Sequence, residues 1–348
     1  MSNVTMQDVA NKAGVSKSTV SHVINKTRTV DERTRKKVEE AMQSLSYVPN
    51  ALARSLRRKS THTIGIVISD IGNSFFTDMV RACEDAAYKD GYNTILCNSD
   101  EDPAKEQMYL NVLRQKQVDG IILSPTGKNE ELISSLNTSG IPVVFVDRYM
   151  YGMDIDFVGM QNFQAAYKSV EHLYNLGHRK IAVMYTFGSL SSIKERIEGY
   201  KSALQDFGLK NDDGLFIQID EFGKPTETRK KMKDYLKNHP LPDCIFVLNN
   251  FLTIELMSVL RELNYRCPQD LAIMGIVDFY WAWAFEPYLT MVHTPVYDIG
   301  RKAVDILVSK IRKKHKKTKR VEFPTELIIR DSCGAMNGPV RFSKNLDD

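Results

Sequence analysis

The chain is short of the residues that carry metal and redox chemistry. Of its 348 residues, 5 are cysteine and 7 histidine. Cys83, Cys97, Cys244, Cys267 and Cys333 stand far apart with no C-x2-C pair, which argues against a disulfide framework or a zinc site and fits a reducing cytoplasm. No two histidines are spaced H-x3-H, no G-x-G-x-x-G follows an apolar strand, and no G-x4-G-K-[ST] occurs. No Ser-His-Asp or Cys-His set stands out either, so the expectation is a protein that is not an enzyme and needs no cofactor. A basic leader followed by an apolar run is missing, as is any apolar stretch long enough to span a bilayer. The chain is therefore expected in the cytoplasm, away from the membrane.

What is present is unevenly distributed. The net charge of +4 divides into +7 over residues 1–60 and −3 over the remainder. A basic module on a mildly acidic body is the electrostatic footprint of nucleic-acid binding. Within that module Ala10, Gly14 and Val20 fall in the pattern A-x3-G-x5-V, which suits two short helices crossed over a tight turn. Met6 to Ala13 is the first helix, opened by Thr5 and Asp8 in a capping-box arrangement. Gly14 takes the turn, and Ser16 caps a second helix from Lys17 to Asn25. Val9, Ala10, Val15, Val20, Val23 and Ile24 can close a small core. This leaves Lys17, Ser18, Thr19 and His22 outward, the donor-rich face a major groove requires. Asp31 caps a third helix, Glu32 to Ser46. Asn50 to Arg57 has good helix formers but spans only about two turns, too few to hold a helix alone in water.

From Thr63 the pattern changes to short apolar runs alternating with amphipathic stretches. Strands at 63–69, 93–97, 120–124, 143–147 and 157–160 alternate with helices at 75–90, 103–115 and 130–139. A second series follows, with strands at 180–185, 215–219, 244–248 and 271–276 and helices at 162–176, 193–207, 226–238 and 251–263. Such alternation predicts parallel sheets covered by helices on both faces, and the number of units suits two lobes with a ligand cleft at the carboxyl ends of their strands. The basic run Lys310 to Arg320 is read as a solvated helix end and loop.

Thr5 to Asn25, Tyr47-Val-Pro-Asn50, Ala53-Arg-Ser-Leu56, Ile64-Gly-Ile-Val67, Val118-Asp-Gly-Ile-Ile122, Gly177-His-Arg-Lys-Ile181, Arg196-Ile-Glu-Gly-Tyr200 and Leu289-Thr290 together resemble the lactose/galactose repressor family of bacterial transcriptional regulators. The resemblance implies an all-α helix-turn-helix headpiece (1–48), a hinge helix and linker (49–60), an α/β core of two doubly wound parallel-sheet lobes like the periplasmic binding proteins (61–335), and a polar tail (336–348). It implies a homodimeric repressor that binds a palindromic double-stranded DNA operator and is controlled by a small molecule. By that match Thr5, Ser16, Lys17, Ser18, Thr19, Ser21, His22, Asn25 and Tyr47 would serve the headpiece's contact with DNA. Asn50, Ala53, Arg54 and Leu56 would enter the minor groove from the hinge, with Leu56 as a wedge. Ser21 to Arg28 is similar to the recognition helix of the family's purine-repressor branch, although Lys17 and Ser18 depart from it.

Carried over position by position, the effector site would be lined by Asp70, Phe75, Phe76, Arg148, Ser192, Arg196, Phe222, Asn250 and Val277. Sugar-binding members commonly carry acids where this chain has Asn250 and Val277, and Asp278 could replace them only by a one-residue loop shift. Loss of two acids with retention of Arg148 and Arg196 points to an anionic effector, a sugar acid or sugar phosphate, rather than a neutral sugar. Trp281 and Trp283 are candidates to stack on a sugar face. Two further readings stand beside this one: a catabolite-control-type regulator that responds to a phosphoprotein, and a purine-responsive repressor.

Overall fold

A computed structural model describes residues 4–25, 28–47, 60–186, 188–219, 224–278, 280–313 and 317–335. The chain divides into two compact units, Met1–Thr61 and His62–Asp348.

The first unit is helical: α1 (Met6–Ala13), α2 (Lys17–Asn25) and α3 (Glu32–Ser44). The start of α1 is a full capping box: the Asp8 N–H donates to Thr5 Oγ1 at 3.4 Å while the Thr5 N–H donates to Asp8 Oδ2 at 2.8 Å. Gly14 closes α1 at φ 65°, a left-handed conformation that glycine adopts without steric cost. Ser16 Oγ accepts from the Thr19 N–H, and Asp31 Oδ1 from the Thr34 N–H, so each following helix has its cap. Val9, Ala10, Val20, Val38 and Ala41 are buried between the three helices, with Val15, Val23, Ile24 and Tyr47 packed at the margin.

The second unit holds two six-stranded sheets of the same design. Their strands are β1 (Thr63–Ile68), β2 (Asn93–Asn98), β3 (Gly120–Leu123), β4 (Val143–Val146), β5 (Asp156–Met160), β6 (Ile181–Tyr185), β7 (Phe216–Gln218), β8 (Cys244–Val247), β9 (Ala272–Ile276), β10 (Thr290–His293), β11 (Arg320–Phe323) and β12 (Glu326–Ile328). The orders are β2-β1-β3-β4-β5-β11 and β7-β6-β8-β9-β10-β12. All pairings are parallel except β10 with β12. The helices are α4 (Ser74–Lys89), α5 (Pro103–Gln115), α6 (Glu130–Thr138), α7 (Asn162–Asn175), α8 (Ser191–Asp206), α9 (Pro225–Asn238), α10 (Asn250–Glu262) and α11 (Val296–Ile311). Buried strands such as Val143–Val146 and Cys244–Val247 are apolar throughout because helices cover both faces.

The chain passes between lobes three times: after β5, after β10 and after β11. Helix α11 returns to pack on α4 and the first sheet, so close that a Cβ on Gly300 would meet the Met79 carbonyl oxygen and Ala82 Cβ at 2.8 Å. The run Lys310 to Arg320 is not merely solvated. Lys310 forms an ion pair with the fully buried Asp156, and Arg320 lies over the Tyr149 ring at 4.1 Å and pairs with Glu195 and Glu322. The sequence reading missed this because the acids that hold the run come from β5, α8 and β11, elements brought together only by the crossovers.

Candidate functional site

Two sets of residues stand out, one in each unit. In the headpiece Lys17 and Ser18 are exposed on α2, and Ser21, His22 and Asn25 are half-buried along it. Ser16, Ser18 and Thr19 share hydroxyl hydrogen bonds of 2.7 and 2.8 Å at the helix start. Asn25 donates to Ser21 O and Ser21 Oγ, which fixes its amide along the same helix. Tyr47 packs on the three-helix core and its N–H donates to Met42 O. Thr5 stays exposed at the first cap. Asn50, Ala53, Arg54 and Leu56 lie outside the described residues.

In the α/β unit a cavity opens between the lobes. The space it encloses, counted out to its open mouth, is about 590 Å³. Its walls are the carboxyl ends of strands, where parallel sheets place their ligands. Phe75, Phe76, Arg148, Ser192, Arg196, Asn250 and Val277 all line it, together with Asn73, Glu101, Asp147, Thr186, Asn249 and Phe251, which the sequence reading did not single out. Phe75 and Phe76 meet edge to face at 5.1 Å. Asn249 Oδ1 accepts from the Leu252 N–H as the cap of α10, while its amide nitrogen donates to Thr186 Oγ1. Such caps at helix N-termini are the sequence signal that could have found Asn73 and Asn249.

Four expectations need correction. Asp70 is not among the residues that line the cavity: its Oδ1 accepts from the Gly72 N–H at 2.8 Å in the turn after β1. Asp278 does not replace the missing acids, because Arg330 holds both its carboxylate oxygens at 3.1 and 2.9 Å. The Asp278 N–H also donates to Val292 O, which pins the loop against any one-residue shift. Val277 is left at φ 71°, a strained conformation for a β-branched residue that turns it into the cavity wall. Trp283 is 43% exposed and off the cavity. Finally, Arg148 is not a free cation. Glu101 Oε1 lies at 2.7 Å and Asp147 Oδ2 at 3.7 Å, with Ser124 Oγ accepting from Nε. Phe222 and the Trp281 side chain lie outside the described residues.

Arg196 differs. It is 4% exposed, and its partners are neutral: Nε donates to Asn162 Oδ1 at 2.8 Å, Nη1 to Leu248 O at 2.6 Å, and Nη2 reaches Met160 Sδ at 3.7 Å. Burial lowers its pKa, and the more distant Asp147 and Glu195 charges only partly offset this. For Arg148 burial acts in the same direction, but Glu101 and Asp147 outweigh it and raise its pKa. Burial pushes the Asp147 carboxyl up against the pull of both arginines.

Among the described residues no group of three or more His, Cys, Asp or Glu side chains is placed to hold a metal ion. No described helix is long and apolar enough to cross a membrane. A headpiece built to present α2 and a two-lobed sheet pair with a polar cleft instead match known regulators. Residues 5–50 match the family of bacterial regulatory proteins, lacI family, and residues 61–331 match the periplasmic binding proteins and sugar binding domain of the LacI family. The PurR transcriptional repressor of Aliivibrio salmonicida is 34% identical, with 94% of this chain and 98% of that protein covered. The ribose operon repressor of Escherichia coli K12 is also 34% identical, over 94% of this chain and 99% of its own. The fold superposes on a lac repressor dimer bound to operator and an anti-inducer with a TM-score of 0.83, at 24% identity and coverage of 96% and 100%. With both of its units matched in order, the chain belongs to the LacI family of bacterial regulatory proteins, as a DNA-binding transcriptional repressor with a small-molecule effector domain and not as an enzyme.

Proposed function

We propose that this repressor responds to an anionic sugar derivative, a sugar acid or sugar phosphate, held in the interlobe cavity by Arg196. The observation that carries this reading is a buried guanidinium whose hydrogen-bond partners are all neutral. Five N–H groups are available on an arginine, and three are used on Asn162, Leu248 and Met160. A buried cation with neutral partners carries a desolvation cost that an incoming anion removes, and a planar guanidinium matches a carboxylate or phosphate edge. Arg148 contributes less than its type suggests, since Glu101 and Asp147 already neutralise it. Phe75 and Phe76 supply the apolar wall that a sugar's C–H face requires, and Ser192 a hydroxyl beside it.

The DNA contact is assigned to α2 of a homodimer on a palindromic operator: Lys17, Ser18, Thr19, Ser21, His22 and Asn25 in the major groove, with Thr5, Ser16 and Tyr47 towards the backbone. The hinge residues Asn50, Ala53, Arg54 and Leu56 serve the minor groove, and the cytoplasm is the place of action. Selection of binding sites from random duplexes tests this half. A half-site repeated in inverted orientation is expected, and a single unrepeated site would break the dimer reading. For the effector, the test is a melting shift of the full chain against aldonates, sugar phosphates, the parent neutral sugars and purines. A ligand at 100 times its dissociation constant stabilises by about 2.7 kcal/mol. A shift with anions that Arg196→Ala abolishes is expected; a shift confined to neutral sugars would overturn the anionic assignment.

A further inference from the structure

The wall of the cavity carries a feature that does not depend on charge. Asn73 caps α4 from the first lobe, and Asn250 opens α10 from the second. Their side chains meet across the cleft in a reciprocal pair. Asn73 Nδ2 donates to Asn250 Oδ1 at 3.0 Å, and Asn250 Nδ2 donates to Asn73 Oδ1 at 2.8 Å. Each oxygen also accepts from its own helix: Asn73 Oδ1 from the Phe75 N–H at 3.1 Å, Asn250 Oδ1 from the Phe251 N–H at 2.9 Å. Those helix bonds fix which way each amide points, since a flipped amide would set a nitrogen against a backbone N–H.

The hydrogen-bond inventory then has a chemical consequence. A side-chain amide oxygen has two lone pairs, and on both residues both are occupied. Each amide nitrogen has two N–H groups, of which one is used. The pair therefore has nothing left with which to accept a hydrogen bond and retains only donors. We propose that the Asn73–Asn250 clasp is a specificity device: it makes this part of the effector-site wall a donor-only surface, which favours ligand groups that only accept, such as carboxylate, phosphate and ether oxygens, and offers no acceptor to the O–H of a hydroxyl. An aspartate at 250 would do the reverse, because its carboxylate oxygens accept from sugar hydroxyls and cannot donate to Asn73. The same pair joins the first lobe to the second. This deepens the anionic reading of the cavity and rests on that reading for the ligand's class, but the clasp itself stands on the two amides alone.

Two measurements test it. The first uses the full chain without ligand. Asn73→Ala, Asn250→Ala and the double variant are compared in urea unfolding, with small-angle scattering on each. A shared interaction predicts that the double variant is no less stable than the more damaged single, and that each variant has a larger radius of gyration than the wild type; additive losses with unchanged radii overturn the clasp. The second titrates wild type and Asn250→Asp with D-ribose, D-glucose, D-gluconate, D-ribose 5-phosphate and D-glucose 6-phosphate. Asn250→Asp is expected to gain at least tenfold in affinity for a neutral sugar over the wild type. Absence of any such gain, including no response by either protein to D-ribose and D-glucose, overturns the specificity role. A wild type that itself prefers neutral sugars would sink the anionic assignment while leaving the clasp to be judged by the first measurement.

Discussion

The two lobes are built on one strand order yet handle their buried arginines in opposite ways. In the first lobe Arg148 is gripped by Glu101, Asp147 and Ser124, so its charge is balanced before any ligand arrives. In the second lobe Arg196 is just as buried, but it leans on an amide oxygen, a carbonyl and a thioether. The same side chain on the same fold is a structural tie in one place and an open electrostatic demand in the other. A count of arginines near a cleft therefore does not measure its charge; the partner set does.

The largest effect that sharpens this contrast is on stability. Arg148→Ala strands Glu101 in a closed environment, and breaking one partner of a buried pair costs about 3–5 kcal/mol. Urea unfolding of the full chain measures it, and a loss below about 1 kcal/mol would erase the difference between the lobes. Next in size, and opposite in character, is Arg196→Ala. Affinity for the proposed anionic effector is expected to fall by roughly 100-fold, about 2.7 kcal/mol, the size expected for loss of a charge-assisted bidentate contact. Its unfolding midpoint should fall less than that of Arg148→Ala, because removing Arg196 strands no carboxylate. Equal stability losses for the two variants would break the comparison.

The contrast also shows where the sequence is informative. The headpiece was legible almost residue by residue: Thr5, Gly14, Ser16 and Asp31 are local signals whose partners lie within four positions, and all four do locally what their types predict. The alternating core was legible for the same reason, since a strand's burial and a helix's period are written in consecutive residues. The late elements β10, α11, β11 and β12 were not, because they belong to crossovers whose partners lie far back in the chain: Phe157 beside Arg320, Ile328 beside Met291. Within the cavity, residue types carried over from the family resemblance mostly fell on the wall. What could not be read was the state of each charge. By residue type Asp278 is a spare acid and Arg148 a free cation, but Arg330 holds the first and Glu101 the second. Those partners are 52 and 47 residues away, beyond any local pattern.

Asp278 supplies a smaller test of the same distinction. Asp278→Asn weakens the bidentate link to Arg330 and should cost about 1–3 kcal/mol, the range for hydrogen bonds to charged groups. Because that carboxylate faces Arg330 rather than the cavity, effector affinity should stay within about twofold while the unfolding midpoint falls. A tenfold loss of affinity at unchanged stability would return Asp278 to the ligand.

The smallest expected effect is the most direct probe of how well the first lobe is balanced. Asp147 sits at φ 66° beside Arg148 and within the field of Arg196, and burial nevertheless raises its pKa. A carboxylate whose folded pKa lies above its unfolded value binds more protons in the folded state, so folding stability is fully present below the ordinary carboxylate range and declines as pH rises to the folded pKa. Asp147→Asn removes that titration and keeps a side chain that tolerates a left-handed backbone. The variant should therefore gain on the wild type as pH is raised from below 4 to neutrality. Urea midpoints across that range measure the difference. If the variant instead loses ground as pH rises, the Arg148 ion pair outweighs the cost of burying Asp147, and the first lobe holds its acids as firmly as its arginine.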